Sequence, residues 1–232
     1  MPEPARVRAM FGRIAGRYDL LNRLLSAGID RGWRRRTVAQ VGPAEGLQVL
    51  DVCCGTADLS LDFARAGANV VGVDFTYEML RAADGKLERD GAPTLAQGDA
   101  LMLPVRDDSV DAASVAFGIR NVADRIAGLT EMQRVVRPGG SVVVLEFSMP
   151  KSRWLGALYR LYFTRILPMI GGLISGDRGA YESLPATVLA WPTPEEFQRE
   201  FEDVGLVDCG FHRLTGGIAC VHFGRVAQDR TT

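Results

Sequence analysis

Three short apolar runs in the 232-residue chain each end in residues suited to gripping a nucleoside. The first passes into Leu50-Asp51-Val52-Cys53-Cys54-Gly55-Thr56-Ala57-Asp58. Gly55 lets a ligand approach the backbone, and the N-terminus of the helix expected beyond it offers unpaired N–H groups. The second run, 70–73, ends at Asp74, about 20 residues on, where a carboxylate can accept both hydrogen bonds of a ribose diol. The third, 94–97, leads into Gly98 and Asp99-Ala100, placed to hydrogen-bond an adenine amino group. In an open parallel sheet, ligands bind beyond the carboxyl ends of the strands, where the strand order reverses. An adenosine-type ligand fits this set.

NAD and S-adenosylmethionine (SAM) both contain adenosine, so the loop after the first strand must separate them. A dinucleotide site needs G-x-G-x-x-G for the turn, the diphosphate approach and the helix packing. Here Gly55 stands alone, with Cys53 at one expected glycine and Asp58 where the diphosphate's helix would begin. An acid there suits the cationic amino end of methionine better than a diphosphate. SAM is favoured, and a NAD-dependent oxidoreductase becomes the disfavoured alternative. Cys53, Cys54, Cys209 and Cys220 show no metal spacing, so no metal is expected. His212 and His222, the two histidines, read as structural.

These ends need a sheet to hold them. Apolar runs at 47–53, 70–73, 94–97, 110–117 and 141–147 alternate with helical patterns at 77–86 and 126–136, and the Arg137-Pro138-Gly139-Gly140 stretch reads as a turn. This rhythm predicts an α/β fold, a doubly wound, mostly parallel sheet of seven strands. The last two strands, 207–214 and 218–226, form an antiparallel pair around Gly216-Gly217. Before the sheet, Val7, Phe11, Ile14, Tyr18, Leu21 and Leu25 recur at helical spacing, broken near Gly16, with a third helix at 33–41. After it, a helical stripe runs over 153–176, with Leu155, Leu158, Tyr159, Tyr162, Phe163 and Ile166 on one face, and another helix spans 194–204. The chain therefore divides, within one domain (1–232), into a helical cap at 1–45, a cofactor-binding core at 46–150, a lid at 151–204 and a strand pair at 205–232.

A net charge of −1 excludes a protein built wholly around nucleic-acid phosphates. Charge is nonetheless uneven. Up to Gln40 the chain carries nine arginines against Glu3, Asp19 and Asp30, an excess that suits either an anionic membrane face or ordinary solvated helices. No run reaches about 18 uncharged apolar residues, the length a membrane-spanning helix needs. A cytoplasmic protein is expected, with peripheral contact on the inner face of the membrane compatible with the basic arm.

Motifs spread along the chain narrow the reading further: FGRIAGRYD at 11–19, GIDRGW at 28–33, the loop at 51–59, GDALMLP at 98–104, FGIRNV at 117–122, RVVRPGG at 134–140, and the segments at 145–147 and 167–172. In these stretches the chain resembles the menaquinone/ubiquinone biosynthesis C-methyltransferase family (demethylmenaquinone methyltransferases) within the class I SAM-dependent methyltransferases. The resemblance implies methylation of a ring carbon on a polyprenyl quinol, demethylmenaquinol being the usual bacterial substrate. It also implies SAM contacts at Thr56, Asp74, Asp99 and Ala100, beside Asp51, Gly55 and Asp58 of the first loop. Two departures stand out. Cys54 and Ala57 replace family glycines and are expected to crowd the backbone near the methionine moiety. Ala116 stands where the family commonly has a serine, at the same cofactor wall.

A reduced quinol with one hydroxyl deprotonated pushes electron density onto its ring carbon, and phenols titrate near about 10. Arg120 and Asn121 are expected to stabilise the phenolate, and Tyr18 and Asp19 to orient the ring hydroxyl or relay its proton. The 153–176 stripe suits a prenyl tail or a plain core. Other readings are a SAM methyltransferase for another small acceptor, including a benzoquinol, and a non-catalytic SAM- or quinone-binding accessory subunit. A homodimer is compatible with each.

Overall fold

The computed structural model describes residues 3–87, 91–166 and 187–229. Seven strands form one sheet in the order β3-β2-β1-β4-β5-β7-β6. They are β1 (Gln48–Val52), β2 (Asn69–Asp74), β3 (Thr94–Gln97), β4 (Val110–Ala116), β5 (Val136–Phe147), β6 (Leu206–Leu214) and β7 (Ala219–Val226). The first five run parallel; β7 inserts antiparallel between β5 and β6. The doubly wound sheet is thus the one expected from the alternation of runs. The order reverses between β1 and β4, so the crevice lies beyond Val52 and Ala116.

The central strands are apolar because helices cover both faces. In β1, every residue after Gln48 is buried, and so are Ala112, Ala113, Ser114 and Val115 of β4. Helices α4 (Asp58–Arg65), α5 (Tyr77–Ala83) and α6 (Arg125–Val135) are the crossovers. Phe63 from α4 packs with Val49, Val70 and Ala112 on one face, while Leu129 and Met132 from α6 meet Leu50, Val115 and Val144 on the other. Each such fully buried side chain removes about 1.5–3 kcal/mol of apolar exposure.

The N-terminal helices α1 (Pro4–Ile14), α2 (Tyr18–Leu25) and α3 (Asp30–Val41) are divided by a 3₁₀ turn at Ala15–Arg17, where the chain was expected to break. Helix α1 lies against α5, and Arg8 sits 5.6 Å over the Phe75 ring. Helix α3 packs on β5 and β7 through Trp33, whose indole donates to Thr215 Oγ1 at 2.8 Å.

Two segments depart from expectation. The Arg137-Pro138-Gly139-Gly140 stretch lies inside β5, not in a turn before it; its pairing with β4 jumps from Val110–Val136 to Ala112–Ser141, so the stretch is an excursion in the strand. A Cβ on Gly140 would fall 2.6 Å from the Asp111 carbonyl oxygen, which is why the excursion needs glycine there. The long helical pattern after β5 becomes α7 (Arg153–Leu161) and a π-helical turn at Tyr162–Ile166; the remainder of the expected helix, and the motif at 167–172, lie outside the described residues. Leu158 and Tyr159 also do not share a burial face: Tyr159 is buried and Leu158 exposed.

The last helix, α8 (Pro194–Asp203), begins with a capping box. Glu196 N–H donates to Thr193 Oγ1, and Thr193 N–H donates to Glu196 Oε2. It buries Phe197 and Phe201 around His222 of β7, whose Nε2–H donates to the Pro194 carbonyl at 3.2 Å. Burial lowers the His222 pKa from its ordinary 6.5 to about 4. The unfolded chain therefore binds this proton below about 6.5 and the folded chain only below about 4, so stability present above 6.5 is lost as pH falls across that window. Replacing His222 with Phe removes the linkage. Between pH 7 and 4.5 the difference in unfolding free energy should move in the variant's favour by up to about 3 kcal/mol, read by thermal denaturation at both pH values.

Candidate active site

At the reversal between β1 and β4, a cavity of about 820 Å³, open mouth included, lies beyond the carboxyl ends of the strands. Its floor comes from the loops after β1, β2, β3 and β4; its roof comes from Pro4, Val7, Phe11 and Tyr18 of the N-terminal helices.

The floor is set by Asp74. Its Oδ2 accepts the Gly55 N–H at 2.8 Å and its Oδ1 accepts the Thr76 N–H at 2.7 Å. Burial pushes its pKa up while the two amides pull it back. The carboxylate keeps lone pairs for a diol, and the loop after β1 is pinned to it. That loop zigzags through the left-handed region at Cys53 (φ 53°), Gly55 (φ 55°) and Ala57 (φ 64°). The loop after β4 locks against it. Phe117 is left-handed (φ 56°), and a Cβ on Gly118 would sit 2.4 Å from Cys53 Cβ. Beyond β3, Asp99 Oδ1 accepts the Leu101 N–H at 2.9 Å, which turns the chain so that Asp99 and Ala100 both face the cavity.

Of the residues singled out in the sequence, Tyr18, Gly55, Asp74, Asp99, Ala100, Ala116 and Asn121 line this cavity. Others do not. Asp51 is buried beneath the loop, where its Oδ2 accepts from Ser60 Oγ at 2.5 Å and desolvation raises its pKa to about 7; it ties β1 to α4. Thr56 is buried and donates through Oγ1 to Asp19 Oδ1 at 2.5 Å. Asp58 was expected to meet a cationic ligand group but has protein cations instead: Lys86 Nζ at 2.8 Å and Arg34 at 3.4 Å. Asp19 is likewise engaged, by Thr56 and Lys86. Arg120 lies behind the wall, its Nη1 donating to Glu146 Oε1 at 2.7 Å and to the Phe117 carbonyl at 2.5 Å. Cys54 and Ala57, the expected sources of crowding, both lie outside the cavity lining. Cys54 packs over Gly72, where any Cβ would be 2.9 Å from its Sγ, and Ala57 is fully buried.

Tyr18 is the titratable roof residue. Burial raises its pKa, its hydrogen bond with Asn22 and the nearby Arg120 charge lower it, and the net is upward. At neutral pH its hydroxyl keeps its proton and acts as a donor. The Asn121 Nδ2 is buried on the wall with no hydrogen-bond partner among the described residues. Two contributors escaped sequence reasoning. Lys86, one of only two lysines in an arginine-rich chain, joins Asp19, Asp58 and the Thr56 carbonyl; its rarity was the one signal available. Glu146, the other, lies inside the apolar run 141–147 and carried no separate signal.

A switch-point cavity with one carboxylate for a ribose, a second carboxylate at the next strand end and no glycine-rich diphosphate turn defines a class I SAM-dependent methyltransferase. Solved structures share the fold. A SAM-dependent methyltransferase from Thermotoga maritima superposes with a TM-score of 0.68 at 17% identity, covering 96% of this chain and all of that one. A Haloferax volcanii methyltransferase solved with the Trm112 activator gives 0.69 at 16%, covering 94% and 97%. The chain belongs to the ubiE/COQ5 methyltransferase family, whose model matches residues 2–226. It is 48% identical over 225 residues to the ubiquinone/menaquinone biosynthesis C-methyltransferase UbiE of Geobacter sp. (strain M21), covering 94% of this chain and 95% of the relative. Demethylmenaquinone methyltransferases of Deinococcus radiodurans and Thermus thermophilus are each 46% identical, with 94% and 93% of this chain covered and 91% and 99% of theirs. SAM is the methyl donor, and the dehydrogenase alternative falls away.

Asp74 and Asp58 offer a direct contrast. Replacing Asp74 with Asn puts an amide donor against the Gly55 or Thr76 N–H and removes a charged acceptor, worth about 1.5–3 kcal/mol. Calorimetric affinity for S-adenosylhomocysteine should fall roughly 10- to 100-fold. Asp58→Asn, off the wall, should change it by less than about fivefold, the scale of a part-exposed ion pair.

Proposed function

We propose that the protein transfers the methyl group of SAM to a ring carbon of a polyprenyl quinol, demethylmenaquinol foremost. The observation that carries this reading is the Asn121 amide: a buried donor without an acceptor among the described residues, beside the apolar side chains of Phe11, Phe117, Val122 and Val7. An apolar slot with one or two donors suits a flat ring bearing an oxygen. The names of the relatives supply the acceptor class.

In this reading Asp74 and Gly55 hold the ribose end of SAM, and Asp99 and Ala100 its adenine. When bound, SAM supplies an electrophilic methyl group on a sulfonium. Asn121 donates to the ring oxygen beside the reacting carbon, and Tyr18 donates to the same edge of the acceptor from the roof. Arg120 acts without contact: its charge, which partly opposes the upward shift that burial gives Tyr18, favours the anionic quinol across the Phe117 wall. Asp19 and Thr56 do not relay a proton; with Lys86 they tie the roof to the cofactor loop. The apolar roof excludes water and aligns the two reactants, which is most of what an in-line displacement requires.

No described helix is long and apolar enough to cross a membrane. Helix α7 nevertheless shows Trp154, Leu158 and Leu161 exposed at 72%, 55% and 53% along one side, the i, i+4, i+7 line of a helix. In our reading this line meets the bilayer face that holds the polyprenyl acceptor, and the basic N-terminal helices favour anionic lipid.

The test is transfer of labelled methyl from SAM to reduced acceptors. Label should enter the lipid extract with demethylmenaquinol, to a greater extent than with the benzoquinol, and Asn121→Ala should lower kcat about 100-fold, as loss of one preorganised donor does elsewhere. No label with either quinol would overturn the reading. For the membrane face, Leu158→Asp should reduce co-sedimentation with anionic vesicles and turnover of long-tailed quinol while sparing a tailless naphthoquinol; equal losses on both acceptors would count against it.

A further inference from the structure

We propose that Glu146 is a positioning residue for methyl transfer: it holds Arg120, and through Arg120 the carbonyl of Phe117, so that Phe117 and Asn121 form the acceptor wall. The inference rests on the quinol-methylating reading above and adds to it a residue that touches neither reactant.

Glu146 is fully buried near the end of β5. One oxygen, Oε1, accepts from Arg120 Nη1 at 2.7 Å and from the Phe147 N–H at 2.8 Å. The other, Oε2, and the Arg120 Nε are buried without a partner among the described residues. The Arg120 side chain, 8% exposed, lies with its Cζ 5.3 Å over the Phe147 ring. Such a pair is a poor way to hold a core together. Withdrawing both charges from water costs more than an incompletely bonded pair returns, and apolar replacements of similar volume are commonly as stable or more so. A pair retained at that cost is explained by what it holds.

What it holds is a strained turn. Phe117 has φ 56°, a region that costs an aromatic residue free energy unless its surroundings impose it. Both of its peptide groups are clamped: the N–H donates to the Leu145 carbonyl at 2.8 Å, and the carbonyl accepts from Arg120 at 2.5 Å. The Phe117 ring rests 4.5 Å from that of Phe147, the residue whose own N–H binds Glu146. Asn121 follows one turn later, its N–H bonded to the Gly118 carbonyl at 2.9 Å. Releasing the Phe117 carbonyl therefore loosens the ring wall and the Asn121 donor together, while Asp74 and Asp99 on the opposite wall keep their own bonds.

Two variants test this in the full-length protein. Glu146→Gln keeps volume and one acceptor oxygen but removes the charge. The double replacement of Arg120 and Glu146 by Met removes the pair without leaving a lone buried charge. The expected result is a split: kcat with demethylmenaquinol falls about 10- to 100-fold in Glu146→Gln, which keeps the Arg120 charge, the scale of an ångström-level misplacement, while S-adenosylhomocysteine affinity stays within about threefold in both variants. The double variant, which also removes that charge, is read for stability and wall geometry. It keeps or raises the melting temperature, which a purely structural role for the pair would not allow. Wild-type kcat in a folded Glu146→Gln protein, or equal losses in kcat and S-adenosylhomocysteine affinity, would overturn the proposal. Should wild-type protein itself transfer no methyl to either quinol, the functional reading has failed separately. Crystals of the double variant with S-adenosylhomocysteine then decide: Phe117 leaving the left-handed region or Asn121 turning off the wall supports the positioning role, and a wall superposable on wild type refutes it.

Discussion

One carboxylate organises the site. Asp74 accepts the Gly55 and Thr76 N–H groups, so the end of β2 fixes the loop after β1 as well as its own continuation. That acceptor holds the middle of the left-handed steps at Cys53, Gly55 and Ala57, whose flanks are held by the Cys54 N–H on the Val73 carbonyl and the Ala57 N–H on the Cys54 carbonyl. Because the β1 loop is fixed, the β4 loop can lock against it through Gly118 and Cys53, leaving Phe117 and Asn121 on the facing wall. The cavity is thus defined by backbone geometry before any ligand arrives, and this preorganisation is what alignment catalysis needs.

The sheet was legible in the sequence because parallel strands covered by helices are mostly apolar, and the runs at β1, β2, β4 and β5 are rich in Val, Leu and Ala with few polar interruptions. Asp74, Asp99 and Gly55 were legible for a related reason: polar or glycine residues at the ends of such runs lie at the mouth of the crevice. The excursion inside β5 was not, since Arg137-Pro138-Gly139-Gly140 has the composition of a turn and only pairing on both sides shows it within a strand. Nor was the exposure of Leu158, because a stripe of apolar residues is the same pattern whether it faces core or solvent.

Charged side chains were the hardest to place. Sequence position puts Asp58 at a helix N-terminus and Arg120 after a strand, both near the crevice, but direction is decided by partners distant in the chain. Lys86 and Arg34 draw Asp58 to the outside of the loop; Glu146 draws Arg120 behind the wall. Asp19 is drawn down onto Thr56, which converts an expected proton relay into a tie between the roof and the cofactor loop. A carboxylate or guanidinium goes where its counter-charge is, and a single sequence does not record that pairing.

These pairings leave the cavity itself almost free of neutralising cations. Asp74 and Asp99 are its anionic groups, Tyr18 stays protonated through burial, and the positive charge of Arg120 is held one layer back. That distribution suits a reaction in which a sulfonium loses its charge as an anionic ring carbon is methylated. A cation on the wall would repel the donor; Arg120, paired with Glu146 behind Phe117, keeps its charge away from the sulfonium. The left-handed steps at Cys53, Ala57 and Phe117 cost free energy in the two loops that face the cavity. The covering helices and the β5–β7–β6 half of the sheet, packed around Phe197, Phe201 and Leu129, supply the burial that offsets them.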